Sequence, residues 1–217
     1  MKPKRVYFFL TLCLALFTLP SLSCKPKGGG RFDDVPLTHP YYSYIEKIAQ
    51  RGITSGCTPK TFCPDAPVTR DQTAVFIERA IGVTNPPTPS GQKFADVPPG
   101  HWAYAFIEDF ASRGITSGCT PTAYCPADPV TREQMVVFLE RAAGRTNPPK
   151  PASQRFADVP ASTWSYGFVE SFAANAASQG AADILTRGCN AGGSSFCPGQ
   201  PLTRGEMAAW VVVTFKL

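Results

Sequence analysis

A stretch of 21 residues, Gly52 to Gln72, reads GITSGCTPKTFCPDAPVTRDQ. It returns 62 residues later as GITSGCTPTAYCPADPVTREQ, Gly114 to Gln134, with 15 of 21 positions identical. A looser third copy, TRGCNAGGSSFCPGQPLTRGE, runs from Thr186 to Glu206. Self-similarity at a fixed period implies stacked supersecondary units rather than one irregular domain. A unit of about 50 residues buries too little apolar surface to stand comfortably alone, so three units are expected to share a core.

Each copy follows one plan. An opening of Phe32-Asp33-Asp34-Val35-Pro36, Phe94-Ala95-Asp96-Val97-Pro98 or Phe156-Ala157-Asp158-Val159-Pro160 leads to a first helix. In copy one Tyr41, Tyr44, Ile45, Ile48 and Ala49 share one helical face, and Gly52 supplies the left-handed residue that ends it. Ala103, Phe106, Ile107 and Phe110 repeat the face before Gly114, and Ser165, Phe168, Val169 and Phe172 repeat it again. Copy three then carries an eight-residue expansion, Asn175 to Ala182, before Cys189. The loop that follows holds two cysteines with an aromatic just before the second: Phe62, Tyr124 or Phe196, read as a plug on the core. The second helix opens on Thr69-Arg70-Asp71-Gln72, Thr131-Arg132-Glu133-Gln134 or Thr203-Arg204-Gly205-Glu206, each fitting a capping box. The expected class is all-α, with a short extended segment near each FxDV. Pro-rich linkers from Asn85 and Asn147 should keep the repeats at set spacing.

Lys2, Lys4 and Arg5 precede an apolar run from Val6 to Leu19, broken by Pro20. That run is short for a membrane span and has the length of a signal-peptide core. Cleavage is expected before Cys24, and a cysteine there is also open to lipidation. Removing the leader takes the net charge from +5 to +2, too weak for a nucleic-acid footprint. Of eight cysteines, six form close pairs: Cys57 with Cys63, Cys119 with Cys125, Cys189 with Cys197. Zinc wants four ligands, and no pair has a second CxxC or a nearby histidine. In an exported chain such pairs read as disulfides.

Arg70, Arg132 and Arg204 stand at the positive end of a helix dipole, where a cation is mildly unfavourable. Three copies of a locally poor choice imply an anionic partner for each. One reading pairs them with Asp34, Asp96 and Asp158. The other has helix amides and guanidinium together holding a ligand carboxylate or phosphate. Trp102 and Trp164 are equivalent, with Pro40 in copy one. Buried aromatics at helical spacing are usually core, whereas exposed ones would suit stacking on a sugar. His39 and His101 read as capping or surface groups, and Glu78-Arg79 and Glu140-Arg141 as solvated helix-end charges. No GxSxG, HExxH, P-loop or dinucleotide fingerprint occurs, so no catalysis, metal or cofactor is expected.

These units, FxDVP followed by H(W/P)xY, GITSG, F/Y-C-P and TR(D/E/G)(Q/E), closely resemble the S-layer homology repeat over roughly Phe32 to Leu217. The resemblance implies a pseudo-threefold helical domain with grooves between repeats that anchors to cell-wall polysaccharide, often a pyruvylated polymer, or to peptidoglycan. It places the family's motif arginine on Arg70, Arg132 and Arg204, and its tryptophan on Trp102 and Trp164. The cysteine-clipped loop replaces the family's Gly-Asp-Gly segment, copy one has Pro40 for tryptophan, and copy three has Gly205 and the expansion.

The expected organisation is a signal peptide over 1–23, a tether over 24–31, and repeats over 32–82, 94–144 and 156–217. Linkers fill 83–93 and 145–155, and no further domain is expected. The expected function is a non-catalytic envelope anchor binding wall glycan through Arg70, Arg132, Arg204, Trp102, Trp164, Asp34, Asp96 and Asp158. The membrane enters only through the leader or a lipid on Cys24. The alternatives are a protein-interaction module using the same grooves and, more remotely, an envelope glycan hydrolase, for which no spaced carboxylate pair stands out. Removal of the Arg132 side chain is expected to weaken wall binding at little cost to the fold.

Overall fold

The computed structural model describes residues 30–185, 189 and 194–217. The leader, Cys24 and nearly all of the tether lie outside the described residues. Six α-helices come in three pairs: α1 (Tyr42–Gln50) with α2 (Arg70–Ala80), α3 (Tyr104–Ser112) with α4 (Arg132–Ala142), and α5 (Tyr166–Ser178) with α6 (Arg204–Phe215). A 3-10 turn, Ala182–Leu185, follows α5. Among the described residues there is no strand or sheet, so the chain is all-α.

The first helices form as their apolar face dictates. Ile45, Ile48 and Ala49 of α1 are buried, as are Ile107 and Phe110 of α3. Gly52, at φ +70°, reverses the chain so that the Ile53 amide reaches back to the Ile48 carbonyl at 2.9 Å. This satisfies carbonyls that the helix end would orphan. The second helices are buried on nearly every side, Arg204 to Thr214 of α6 without a break. They make the centre of the molecule, where α2, α4 and α6 all touch one another.

Each first helix packs against the second helix of the preceding repeat: α3 on α2, α5 on α4, and α1 on α6. The last contact joins the beginning of the chain to its end and closes a ring. At the ring's axis the buried residues Val68, Val130 and Leu202 form a hydrogen-bonded triangle. The Val68 amide donates to Leu202 O at 2.9 Å, the Leu202 amide to Val130 O at 2.9 Å, and the Val130 amide to Val68 O at 3.0 Å. The extended backbone expected near FxDV lies here instead, as isolated bridges just before the second helices. Strand-like pairing serves the axis because three chain segments must meet there and exchange backbone hydrogen bonds.

Gly205 belongs to the same closure. A Cβ there would lie 2.7 Å from Tyr41 Cδ2 and 3.2 Å from Pro64 O. Where copies one and two carry Asp71 and Glu133, copy three seats the tyrosine of repeat one. The glycine is required by the ring.

Candidate functional site

The amides at the start of each second helix are not free for a ligand. Arg70 N donates to Asp128 O at 3.0 Å, Arg132 N to Gln200 O at 2.9 Å and Arg204 N to Ala66 O at 2.9 Å. The next amide does the same, with Asp71 N on Pro126 O, Glu133 N on Pro198 O and Gly205 N on Pro64 O. Each helix is capped by the loop of its cyclic neighbour. Full capping boxes occur in α4 and α6. In α2 the Asp71 carboxylate accepts instead from the Thr69 hydroxyl and, at 2.7 Å, from Gln72 N. That frees the Gln72 side chain for another use.

The three arginines are buried, and the ion pairs expected with Asp34, Asp96 and Asp158 do not form. Arg70 Nε donates to Tyr124 O at 2.6 Å, Arg132 Nε to Phe196 O at 2.7 Å and Arg204 Nε to Phe62 O at 2.8 Å. The aspartates hold the other edge of the same loop peptides. Asp96, for example, accepts Tyr124 N at 2.8 Å and Cys125 N at 2.7 Å, and Asp34 and Asp158 bind Phe62–Cys63 and Phe196–Cys197 alike. Arginine and aspartate meet on the plug residue without touching each other. This grip holds Cys63, Cys125 and Cys197 in left-handed backbone, at φ 57°, 59° and 55°. That conformation costs about 1–2 kcal/mol in a residue with a Cβ. The disulfides Cys57–Cys63, Cys119–Cys125 and Cys189–Cys197 close the loops.

Among the described residues two grooves open over these arginines. The first, of about 370 Å³, is lined by the loop Ile53–Cys57, by Gln72, Phe76 and Arg79 of α2, by Trp102 of repeat two and by Arg204 of repeat three. Its equivalent, of about 400 Å³, has Gln134, Phe138, Arg141, Trp164 and Arg70. Both have the size of ordinary small-ligand sites. Neither lining contains an aspartate or glutamate. Burial lowers the Arg70 guanidinium from its ordinary value and pushes Arg204 down to about 10, against weaker pulls from nearby anionic groups. Both stay charged at neutral pH. Arg204 stacks on Phe62 and Phe76, and Arg70 on Tyr124 and Phe138. Nη2 of Arg70 and Nη2 of Arg204 are buried and have no hydrogen-bond partner among the described residues. An uncompensated buried donor on a cation is costly, and an anion in the groove would relieve it.

Trp102 and Trp164 are 62% and 56% exposed, so the core reading of these rings fails. The Trp102 indole donates to Asp71 Oδ2 at 3.0 Å, which fixes the ring at the groove's edge. Glu78 and Glu140, read as solvated charges, are wholly buried. Their neighbours Arg79 and Arg141 are the groove residues that sequence reasoning missed. The signal was available in the comparison of copies, since the third has Val213 at that position.

At the third position, among the described residues, the guanidinium is already occupied. Nη1 of Arg132 pairs with the Glu206 carboxylate and Nη2 with the Leu185 carbonyl. Trp210 stands where the others have Phe76 and Phe138. It is buried, stacks under Arg132 and donates to Ile184 O at 3.3 Å. The copy-three expansion lengthens α5 and ends in the 3-10 turn that supplies both carbonyls. The segment between this turn and the plug falls largely outside the described residues.

Comparison with known proteins agrees with this architecture. The family model described as S-layer homology domain matches residues 31–74 and 93–136, both in the first two copies. The chain is 29% identical over 137 residues to an endoglucanase of Bacillus sp. (strain KSM-635), covering 61% of this chain and 14% of that protein. It is 28% identical over 141 residues to a cell surface protein of Thermoanaerobacter kivui, covering 64% and 17%. With cell surface glycoprotein 1 of Acetivibrio thermocellus it shares 29% over 151 residues, covering 63% and 6%. In each relative the matched part is a small share of the whole, 6–17% of its length. Residues 31–74 and 93–136 thus each match the S-layer homology domain, and two of the similar proteins are named for the cell surface.

Proposed function

We propose that this chain is an exported, non-catalytic envelope protein that anchors to the cell wall by binding a carboxylated glycan in its two open grooves. The observation that carries the reading is the pair of acid-free grooves, each with a buried arginine whose Nη2 lacks a partner and an exposed tryptophan at its edge. A carboxylate would complete the guanidinium at Nη2, the position that the Leu185 carbonyl fills on Arg132, while the indole face takes the adjoining sugar ring. Arg70, Arg204, Trp102 and Trp164 are the direct contacts in this reading. Asp34, Asp96 and Asp158 act indirectly, by fixing the loops on which the arginines dock. Export rests on the leader over 1–23, and Cys24 would add a lipid anchor to the glycan anchor. The three repeats are taken as 32–82, 94–144 and 156–217.

The test is co-sedimentation of the purified chain with cell-wall sacculi from the source organism, before and after chemical removal of secondary polymers. Binding lost on stripping identifies a polymer anchor, and binding retained identifies peptidoglycan. Absence of binding to either material overturns the proposal and favours a protein partner for the same grooves.

A further inference from the structure

The three repeats form an internal comparison, because the same backbone is used twice as an open groove and once as a closed one. Besides Trp210 and the inserted turn, three side-chain differences separate the two states. The open grooves have Gln72 and Gln134 where the closed one has Glu206, and Trp102 and Trp164 where it has Pro40. They have Arg79 and Arg141 where it has Val213. Glutamate in the third position neutralises Arg132 directly, which accounts for the first difference. The position of the arginine is taken there by Val213, one more buried apolar residue of α6, so the arginine occurs only where the groove is open.

Arg79 and Arg141 are held as binding groups are held. Each lies over an aromatic ring of the next repeat, Phe106 at 5.6 Å and Phe168 at 5.7 Å, which supports the side chain. Each gives one hydrogen bond to a loop carbonyl, Arg79 to Ile53 O at 3.4 Å and Arg141 to Ile115 O at 3.2 Å. Among the described residues neither forms an ion pair, and each lines the groove that contains Arg204 or Arg70. With no acid in the lining itself and Asp71 only at the edge of the first groove, two guanidiniums on a partly apolar wall concentrate a positive potential.

We infer that Arg79 and Arg141 are ligand-binding residues, each the second guanidinium of an open groove, holding a sugar-borne carboxylate jointly with Arg204 and Arg70 respectively. The deeper arginine offers its unpartnered Nη2 and the shallower one the remaining donors of a half-exposed fork. A carboxylate has lone pairs enough for both. Val213 then follows from closure, because a groove filled by Glu206 and the 3-10 turn has no acid to share. This inference rests on the glycan reading and deepens it.

The experiment is calorimetric titration of the purified chain and of the variants Arg79→Gln, Arg141→Gln and the double variant. The probes are two acidic sugars, a pyruvyl-ketal N-acetylhexosamine for the polymer and N-acetylmuramic acid for peptidoglycan. The methyl ester of each acid is the neutral control. Each single variant should lose one of two binding equivalents, and the double variant should lose affinity roughly ten- to hundredfold for whichever acid binds wild type. Melting temperature should stay near wild type, and Arg→Lys variants should recover part of the binding. Unchanged affinity in the double variant overturns the inference. An equal loss for the acid and its ester also overturns it, since that would report loop damage. If wild type binds sacculi but neither acid, this inference fails while the anchoring proposal stands. If it binds neither sacculi nor acid, the anchoring proposal itself fails.

Discussion

The groove over Arg204 and the closed position over Arg132 begin from the same guanidinium on the same plug carbonyl and end in opposite states. Over Arg204 a neutral Gln72 accepts from Nη1 at 2.8 Å, Nη2 has no partner, and a half-exposed Arg79 adds a second charge. Over Arg132 the two outer nitrogens are taken by Glu206 and by the Leu185 carbonyl, and Trp210 completes a dry wall. One extra carboxylate and a few inserted residues turn an open groove into core. The buried arginine is therefore not diagnostic of binding by itself. What distinguishes a site is whether the protein has already supplied the anion.

The largest test of this contrast is Arg132→Ala. It strands Glu206, 4% exposed, as a buried charge without its partner, and should cost about 3–5 kcal/mol in denaturant unfolding. Arg204→Ala, with no acid to strand, should cost clearly less and should remove one binding equivalent instead. The geometry thus reverses the expectation that Arg132 could be removed at little cost to the fold.

Next come the disulfides. Each closes a short loop, and replacing Cys119 and Cys125 by serine should cost ~2–3 kcal/mol in the loop-entropy picture. Cys119 lines the open groove over Arg70, so affinity there should fall as well. The pair Cys189 and Cys197 should cost comparable stability with no change in ligand binding. Loss of binding in that second variant would break the distinction between open and closed positions.

The joints between repeats offer a pH test. Glu140 is buried but compensated, accepting from Arg145 Nε at 2.7 Å and from Ser171 Oγ at 2.6 Å. Glu78, at the equivalent joint, has neither hydrogen bond. It faces Asp109 and a long 3.4 Å ion contact from Arg113, and burial foremost, with Asp109 next, pushes its carboxyl up to about 8. The folded state therefore binds a proton that the unfolded chain releases near the ordinary value of 4.5. Stability from this group is complete below about 4.5 and is lost as pH rises through about 8. Thermal melts from pH 5 to 9 should show this decline, and Glu78→Gln should flatten it by on the order of 1–2 kcal/mol at the alkaline end. Asp109 and Arg113 should be the partners whose substitution alters that profile.

The smallest change in stability, and the sharpest in binding, is expected from Gln72→Glu. It installs the closed position's carboxylate beside Arg204 and should raise stability by no more than ~1 kcal/mol while removing one of two ligand equivalents. Retention of both equivalents would show that neutralising the arginine is not what closes a groove.

Much of this was legible in the sequence because it is local. Gly52 and Gly114 end their helices as a left-handed residue must, and Phe62, Tyr124 and Phe196 are the buried plugs that their place in the loop implied. The disulfide pairs followed from close spacing in a chain read as exported. The rest depended on partners remote in the chain. Periodicity says which face of α1 is apolar but not that it packs on α6, so the threefold closure was foreshadowed only by the family resemblance. A Thr-Arg at a helix start reports amides in need of acceptors, yet the acceptors are carbonyls of the next repeat, and the guanidinium follows them. Trp102 and Trp164 sit before their helices rather than on a buried face, where helical spacing says nothing about exposure. Glu78 and Glu140 look like surface charges because only their packing against α3 and α5 buries them. The Val213 substitution was readable from the start. It gained meaning only when Glu206 and Leu185 were found on Arg132.

The most direct measurement is a count of acidic sugars bound per chain, by native mass spectrometry at saturating pyruvyl-ketal N-acetylhexosamine or N-acetylmuramic acid. Two open grooves and one closed by Glu206 require two ligands on wild type and one on Gln72→Glu. Three ligands on wild type, or binding that survives only through Arg132, would contradict the account.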